Sequence, residues 1–554
     1  MLSPTSLCLC ALMKMNHQNH IFQVMLRPEF YPHPLSNIEQ RETHISHVFL
    51  TGDYVYKIKK PVSLDFLDFT TLEKRHYYCH QEVILNKRLS HNVYFDVVPI
   101  NLKDGKYLLT GPGIPVEFAV KMRQLPADRS MVQLLKRKKI NRILIKELAV
   151  ILSKFYGQGP SVENIHSSGA WETILTNCEE NFRQTIKFAG KILDERIFQI
   201  VRSATLSFLR RQKELFDNRI KNKKIRDCHG DLRTGHIYFT DKGIQIVDCI
   251  EFNERFRFQD VTSDLAFLAM DLDYEGFPKI AKYLLDDYAK HAQDPDVFVL
   301  IDFYKCYRAF VRCKVNCICL QAGDLNRQDR IKLVKETDKY LDLAYRYALQ
   351  FTRPRLWVVC GMPGSGKSTI SRELSRVFRI KAFQSDVVRK DLLGTRTGDP
   401  SDMPFEAGIY SKNAGSLSYG RLLLLAQEEI EKKRSVILDA TYGRQHDRFE
   451  VIRMAKDNDA SIVFVECVLK ENIIKERLLK RGAGYPVSDA RYHHYEEFKK
   501  RFEPLNELDE KMHIRVDTET PLETCLEQIL AKNYYMTFLN TYSTNFQQEG
   551  SKDV

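Results

Sequence analysis

The chain contains, at residues 361–368, the sequence Gly361-Met362-Pro363-Gly364-Ser365-Gly366-Lys367-Ser368. This is a complete G-x-x-x-x-G-K-S phosphate-loop pattern. A short apolar, β-prone run at 356–360 precedes it, and a run with helical spacing at 369–378 follows it. A strand, a glycine turn and a helix are the setting in which backbone N–H groups curl around phosphate oxygens. We therefore predict a nucleotide-binding strand–loop–helix unit.

This loop predicts ATP and Mg²⁺ as cofactors. Lys367 is expected to contact the β- and γ-phosphates, and the Ser368 hydroxyl is expected to bind Mg²⁺. The predicted nucleotide-binding residues of the loop are Gly361, Met362, Pro363, Gly364, Ser365, Gly366, Lys367, Ser368 and Thr369.

Further charged residues follow strand-like runs in the second half of the chain. Asp386 comes at the end of the next strand, with Arg389 one helical turn later, and Asp439 ends the apolar run 436–439. Asp439 has the position of an acid that orients Mg²⁺. Arg477 and Arg481 are spaced i and i+4 on a helix that leads into a glycine-containing loop, where a lid over the phosphates is expected.

Together these residues resemble the small-molecule and polynucleotide kinase branch of P-loop proteins, which includes relatives of gluconate kinase. The resemblance implies that Asp386 is the base on an acceptor hydroxyl and that Arg389 binds a phosphate or carboxylate of the acceptor. It also implies that Arg477 and Arg481 offset charge in the transition state. The alternatives are a helix cap for Asp386 and an exposed helix face for the two arginines.

A second group of acidic residues lies in the first half. The sequence His229-Gly230-Asp231-Leu232 opens a loop, and the strand 244–247 ends at Asp248. One carboxylate can orient or deprotonate a hydroxyl while the other holds Mg²⁺. A polar hairpin with capping aspartates is the alternative.

This pattern resembles the aminoglycoside phosphotransferase and choline kinase superfamily, which has the protein-kinase-like fold. The resemblance implies a catalytic Asp231, a metal-binding Asp248 and a structural Asp264. It also implies that Lys57 binds nucleotide phosphates with Glu82 as its ion-pair partner, although Lys59 lies on the same strand face.

One position departs from that superfamily. His236 stands where its catalytic loop carries Asn as a ligand or orienter for the second metal. Imidazole is a poor ligand for Mg²⁺, which prefers oxygen. His236 is therefore a candidate metal ligand that leaves open whether this half is an active or a degenerate phosphotransferase.

The whole chain resembles bacterial fusions of an aminoglycoside phosphotransferase-like domain with an AAA-family ATPase domain. The expected fold class combines α+β and α/β: a protein-kinase-like fold, then a P-loop α/β domain with a parallel sheet. The expected boundaries are an unstructured leader at 1–25, the kinase-like domain at 26–350, the P-loop domain at 351–540 and a flexible tail at 541–554. Met13, Met15 and Met25 leave open that the start of the protein lies downstream.

Composition narrows the functional classes. The chain has 554 residues, 44% hydrophobic content and a net charge of +12, which favours anionic partners such as nucleotides. Its 13 cysteines include no C-x-x-C pair, so we expect reduced thiols and a cytoplasmic protein. No run reaches the length of a membrane span. The oligomeric state is not predicted.

We expect an ATP-dependent kinase that transfers phosphate to a hydroxyl of an unidentified small molecule. One alternative is a switch that hydrolyses ATP and regulates the first domain. Another is a kinase for 5′-hydroxyl ends of polynucleotides, although aromatic and basic residues do not alternate as they would in a stacking platform for bases.

Overall fold

The structure is a computed structural model that describes residues 18, 20–35, 37–64, 66–158, 171–322, 325–392, 412–480, 492 and 495–546. The chain divides into two compact units that alternate along the sequence. Unit 1 comprises Met1–Gly169 and Lys223–Leu284, and unit 2 comprises Ala170–Asn222 and Leu285–Val554. No helix in the described ranges is long and apolar enough to cross a membrane.

Unit 1 begins with an antiparallel sheet. Its six main strands have the order β1-β2-β3-β8-β6-β7, with β4 and β5 forming a separate short pair. Helix α1 packs on one face of the sheet, where Cys79 and Val83 meet Val93 and Val120. The bounds are β1 Glu39–Glu42, β2 Ser46–Leu50, β3 Tyr54–Lys59, β4 Ser63–Leu64, β5 Leu67–Asp68, α1 Leu72–Asn86, β6 Tyr94–Lys103, β7 Lys106–Leu109 and β8 Ile114–Arg123.

The other face of this sheet is covered by residues that we expected to be an unstructured leader. Residues 20–25 are helical, and Ile21, Phe22 and Met25 are buried in one cluster with Phe49 and Tyr56. The leader prediction is wrong for these residues because the sheet needs apolar side chains on this face. Residues 1–17 and 19 lie outside the described residues.

The middle of the chain is helical. The bounds are α2 Met131–Lys136 and α3 Arg142–Gln158 in unit 1, followed by α4 Trp171–Thr185, α5 Glu195–Arg211 and α6 Lys213–Lys221 in unit 2. Short 3-10 turns lie at Pro28–Phe30, Ala127–Arg129, Ile186–Phe188 and Thr234–His236.

The chain then returns to unit 1 with two small antiparallel pairs, β10 with β11 and β9 with β12. Every described residue of α8 up to Asp273 is buried, so this helix is the core of the region. The bounds are β9 Ile225–Asp227, β10 Ile237–Thr240, β11 Gly243–Ile246, α7 Glu254–Arg257, β12 Phe258–Asp260, α8 Val261–Tyr274 and α9 Pro278–Ala292.

Two long helices follow, α10 Val297–Ala322 and α11 Arg327–Thr352. We assigned these helices, with α4 to α6, to the first domain from the sequence, but they are grouped with unit 2. Aromatic packing explains the grouping: the rings of Phe208 and Phe351 lie 5.0 Å apart, and those of Phe298 and Tyr534 lie 5.7 Å apart.

The remainder of unit 2 is a parallel five-stranded sheet with the order β14-β15-β13-β16-β17. Buried apolar clusters cover both of its faces. The bounds are β13 Arg355–Cys360, α12 Lys367–Phe378, β14 Lys381–Gln384, α13 Ser385–Leu392, α14 Lys412–Glu431, β15 Val436–Asp439, α15 Gln445–Asp457, β16 Ser461–Val468, α16 Glu471–Lys480, α17 Tyr495–Arg501, β17 His513–Asp517 and α18 Leu522–Phe546.

The predicted fold class is confirmed, with an antiparallel α+β region first and a parallel α/β region second. The predicted flexible tail is wrong for residues 541–546, which continue α18. Residues 547–554 lie outside the described residues.

Candidate functional site

The phosphate loop connects the central strand β13 to α12, as the sequence predicts. Gly361 has a φ of +130°, and a Cβ there would overlap the carbonyl oxygen of Cys467. Gly366, with a φ of +91°, forms the start of α12. Because L-residues rarely adopt these conformations, both positions require glycine. The loop therefore has the strand–turn–helix form that directs N–H groups at phosphate.

The loop is braced from the end of β17 by Thr518, which the sequence analysis missed. Its hydroxyl donates to the carbonyl oxygen of Ser365 at 2.7 Å, and its N–H donates to the carbonyl oxygen of Val468 at 3.0 Å. Its side chain also lies against Gly366, where a Cβ would be 3.3 Å from that of Thr518. No motif marks Thr518, because only the fold brings β17 to the loop.

Three residues with predicted ATP·Mg²⁺ roles meet at the carboxyl end of the sheet. Lys367 Nζ donates to the carbonyl oxygen of Met362 at 2.9 Å, so the lysine lies back along the loop. Asp439 is 4% exposed. Burial raises its pKa to about 6, while the positive charge of Lys367 and a hydrogen bond from Ser368 act in the opposite direction.

Asp439 also has a carboxylate oxygen, Oδ2, that is buried with no hydrogen-bond partner. A buried polar atom without a partner is costly unless a ligand satisfies it. Carboxylate and hydroxyl oxygens are the donors that Mg²⁺ prefers. Asp439 and Ser368 therefore fit the predicted ion.

Asp386 and Arg389 lie together in α13, after the neighbouring strand β14. The guanidinium of Arg389 is 3.2 Å from the carboxylate of Asp386, and the two side chains are 12% and 25% exposed respectively. The negative charge of Asp386 contributes to the raised pKa of Asp439, so the two carboxylates share one end of the sheet. A second carboxylate thus lies near Asp439 at this end of the sheet.

Helix α16 packs against the phosphate loop at Gly364. Ile474 and Leu478 lie where a Cβ on Gly364 would contact them at 3.3–3.4 Å. Arg477, three residues after Ile474, is half-buried on this helix. Arg481 lies outside the described residues, so the arginine pair stays a prediction.

The predicted ion pair of unit 1 is present. Lys57 Nζ lies 2.9 Å from Glu82 Oε1 and 2.6 Å from Asp248 Oδ1. Burial alone would lower the pKa of Lys57, but the charges of Asp248 and Glu82 outweigh it and raise that pKa. Burial would likewise raise the pKa of Asp248, yet Lys57 and His236 hold it well below its usual range.

A second lysine extends this ion pair into the interior. Lys59 Nζ donates to Glu82 Oε2 at 2.7 Å and also pairs with Glu251. Lys59 and Glu82 are fully buried, and Glu251 is nearly so. The two-residue period of β3 indicated that Lys57 and Lys59 share a face, but Glu251 had no signal in the sequence.

Asp264 holds the His229-Gly230-Asp231 loop in place. Its carboxylate accepts from the N–H groups of His229 and Gly230, both at 2.9 Å, and from the Tyr156 hydroxyl at 2.9 Å. This matches the structural role that the resemblance implies for Asp264.

Within the loop, Asp231 is paired with a residue that the sequence analysis did not single out. Arg233 donates to both carboxylate oxygens of Asp231, at 2.8 and 2.9 Å. His236 lies beside them, with Nδ1 2.9 Å from the carbonyl oxygen of Asp231 and Nε2 3.5 Å from Asp248 Oδ2. Asp248 has a left-handed backbone, with a φ of +66°. Asp231, His236, Asp248, Lys57 and Glu82 are thus in one cluster.

A metal ion at either cluster would need ligands beyond the protein. Within the described ranges, no three His, Cys, Asp or Glu side chains converge as a metal site. In phosphoryl-transfer sites, nucleotide phosphates and water complete the coordination of Mg²⁺.

The profile of the AAA domain family matches residues 356–505. An uncharacterized protein of Mycobacterium tuberculosis is 30% identical over 457 residues, which cover 82% of this chain and 88% of that protein.

Two solved structures are each similar to part of this chain. A choline/ethanolamine kinase family protein from Mesorhizobium loti is 13% identical and covers 59% of this chain and 99% of its own, with a TM-score of 0.35. A gluconokinase from Sinorhizobium meliloti is 19% identical and covers 35% of this chain and 98% of its own, with a TM-score of 0.24.

Proposed function

The chain belongs to the family of the uncharacterized Mycobacterium tuberculosis protein, which it matches over 82% of its own length and 88% of that protein, and we propose that it is an ATP-dependent phosphotransferase. Its P-loop domain, residues 351–540, transfers the γ-phosphate of ATP to a hydroxyl group of a small molecule. The kinase-like part of the chain, whose candidate site residues lie in unit 1, is a second or a degenerate phosphotransferase.

The observation that carries this proposal is the position of Asp386. It lies at the end of the strand adjacent to β15, close enough to Asp439 to affect its pKa. An ATP-hydrolysing switch would use such a carboxylate only on its attacking water, whereas a kinase uses it on the acceptor hydroxyl, which must lose its proton. Arg389 beside Asp386 gives the site a cation for an anionic acceptor group, which an attacking water does not need.

Each site residue of the P-loop domain has a separate role in the proposed phosphoryl transfer. The backbone N–H groups of 361–366 and Lys367 bind the phosphates, while Ser368 and Asp439 hold Mg²⁺, which neutralises phosphate charge when it is bound. Arg389 orients an anionic group of the acceptor. The acceptor oxygen bonds to the γ-phosphorus as the bond to the bridging oxygen of ADP breaks, and Asp386 takes the hydroxyl proton. Arg477 and Arg481 offset the developing charge.

In the kinase-like domain Lys57 binds the nucleotide phosphates, with Glu82 as its ion-pair partner. Asp231 acts on the acceptor and Asp248 holds a metal ion. Arg233 occupies both oxygens of Asp231. An acceptor hydroxyl must compete with this ion pair, which is why a degenerate site remains one of the two alternatives.

The proposal is tested on the full chain with three variants. Lys367→Ala should abolish ATP binding at the P-loop. Asp386→Ala should leave ATP binding within about twofold while product formation falls by 10²-fold or more, the usual range for a catalytic base. Asp391→Ala, an exposed acid of the same helix, is the matched control and should leave both unchanged.

Binding is measured by calorimetry and turnover by release of ADP with and without a mixture of cellular metabolites. Metabolite-stimulated ADP release that requires Asp386 supports a kinase. ADP release that is equally fast without any acceptor and indifferent to Asp386→Ala would support the ATP-driven switch and reject the proposal.

A further inference from the structure

His236 uses its two ring nitrogens differently. Nδ1 lies 2.9 Å from the main-chain carbonyl oxygen of Asp231. A carbonyl oxygen can only accept, so Nδ1 carries a proton and donates it. In the neutral ring Nε2 then carries the lone pair and can only accept a hydrogen bond or bind a metal ion, so the partner of Nδ1 fixes the tautomer.

The lone pair of Nε2 lies near the acidic cluster. Nε2 is 3.5 Å from Asp248 Oδ2 and 3.2 Å from the Arg233 guanidinium, which donates to it. The other oxygen of Asp248 is taken by Lys57 at 2.6 Å. Asp248 Oδ2 and His236 Nε2 are therefore a carboxylate oxygen and an imidazole nitrogen at a separation that two ligands of one metal ion can have.

The side chain of Asp248 is 46% exposed and that of His236 is 14% exposed, so an ion entering with nucleotide phosphates can reach this pair. The carboxylate fits Mg²⁺, but the imidazole does not. Neutral imidazole is a good ligand for first-row transition-metal ions, whereas Mg²⁺ holds oxygen ligands and loses water reluctantly.

We propose that His236 Nε2 is a direct ligand that makes the metal site of unit 1 select a first-row divalent transition-metal ion over Mg²⁺. The inference rests on the proposed nucleotide site of the kinase-like domain and adds its metal specificity. His236 keeps the hydrogen bond that steadies the Asp231 loop with one nitrogen and supplies the metal ligand with the other.

Arg233 competes with the metal ion for the lone pair of His236 Nε2. It donates to Nε2 and to both oxygens of Asp231. An ion that takes the Nε2 lone pair must displace this hydrogen bond. Nucleotide phosphates arriving with the ion give the guanidinium an alternative anionic partner.

The test uses Mn²⁺ with a non-hydrolysable ATP analogue. Mn²⁺ is the weakest binder of the first-row series, so it is a stringent probe. The protein is the full chain with Lys367→Ala and Asp439→Asn, which remove the P-loop site. Electron spin echo modulation detects a nitrogen bonded to Mn²⁺, and labelling histidine with ¹⁵N shows whether that nitrogen belongs to imidazole. Titration with Mg²⁺ measures selectivity in the same samples.

The expected result is an imidazole coupling that shifts on ¹⁵N labelling and disappears in His236→Asn. Displacing half of the Mn²⁺ should require about tenfold more Mg²⁺ or greater, and His236→Asn should remove most of this preference. Because the labelling experiment uses the native His236, it does not depend on the folding of a variant.

Mn²⁺ bound with the analogue but without imidazole coupling, or displaced by Mg²⁺ at equal concentration, would overturn the inference alone. An absence of bound Mn²⁺ and analogue would overturn it together with the proposed nucleotide site of unit 1. The proposal for the P-loop domain, tested with Lys367 intact, would be unaffected.

Discussion

Lys59 donates to the Oε2 atom of Glu82 at 2.7 Å, inside the protein and on the far side of the carboxylate from Lys57. Glu82 is thus held by both of its oxygens. Lys59 therefore holds the Glu82 carboxylate from the interior while Glu82 pairs with Lys57.

This arrangement predicts a large effect of Lys59→Met. The change leaves Glu251 and one oxygen of Glu82 buried without a cation, which should destabilise unit 1 by about 3–5 kcal/mol. Hydrogen exchange of the β2 and β3 amides measures the loss. Lys60→Met is the matched control: Lys60 pairs with the largely exposed Glu42, so its cost should be below about 1 kcal/mol. Equal effects would mean that Lys59 does not hold Glu82.

The raised pKa of Asp439 predicts that the free energy of unfolding of unit 2 depends on pH. Burial raises its pKa from 3.8 to about 6, so the folded state holds a proton that the unfolded chain has lost. Between about pH 4 and pH 6 this group makes stability fall as pH rises, by up to about 3 kcal/mol. Asp439→Asn should remove that loss and stabilise the metal-free chain at pH 7.

The measurement is urea unfolding in chelator, followed by tryptophan fluorescence, which reports Trp171 and Trp357 in unit 2. Asp457→Asn, an exposed acid at the end of α15, should leave the pH profile unchanged. An Asp439→Asn protein that is less stable than the native chain at pH 7 would show that Asp439 is ionised and satisfied there.

The hydrogen bond from the Thr518 hydroxyl to Ser365 predicts that Thr518 supports ATP binding by the phosphate loop. Thr518→Val removes the hydroxyl that bonds Ser365 and should weaken ATP binding about fivefold to tenfold, equivalent to about 1 kcal/mol. Thr520→Val removes an exposed hydroxyl that bonds Asp517 and should leave the affinity unchanged. Calorimetry with ATP distinguishes the two, and an unchanged affinity in Thr518→Val would remove its positioning role.

Replacing glycine by alanine should destabilise the protein at position 361 and stabilise it at position 420. Gly361→Ala would place a Cβ against the Cys467 carbonyl at a φ of +130°, so ATP binding should be lost and the melting temperature lowered. Gly420→Ala, in α14, meets nothing within 4 Å and should stabilise the chain by about 0.5–1 kcal/mol. A Gly361→Ala protein that binds ATP normally would contradict the described loop.

The parts of the site that could be predicted from sequence are those encoded locally. The phosphate loop is contiguous, and the acids at strand ends follow from the order of elements. Thr518, Glu251 and Arg233 were missed for a common reason: each acts through a partner on another segment, or in a conformation that spacing does not specify. The segment containing Ile21, Phe22 and Met25 was wrongly assigned to an unstructured leader. Its apolar residues are buried only because they pack on one face of the antiparallel sheet, which the local sequence does not specify.

The domain assignment shows the same limit. The helices α10 and α11 precede the Pro354 break, and by sequence order they belong to the first half. Their grouping with unit 2 depends on aromatic contacts such as that of Phe298 with Tyr534, more than two hundred residues apart in the chain. Hydrophobic periodicity identifies a helix but not the surface on which it packs.

The most direct test of the central claim is to follow the γ-phosphate. The full chain is incubated with ATP labelled at the γ-position and a small-molecule extract, and the labelled products are separated. We predict a labelled organic phosphate that is absent with Lys367→Ala and with Asp386→Ala but persists with Asp231→Ala. Label that is found only in inorganic phosphate, or a product that is lost with Asp231→Ala and retained with Lys367→Ala, would contradict phosphoryl transfer by the P-loop domain.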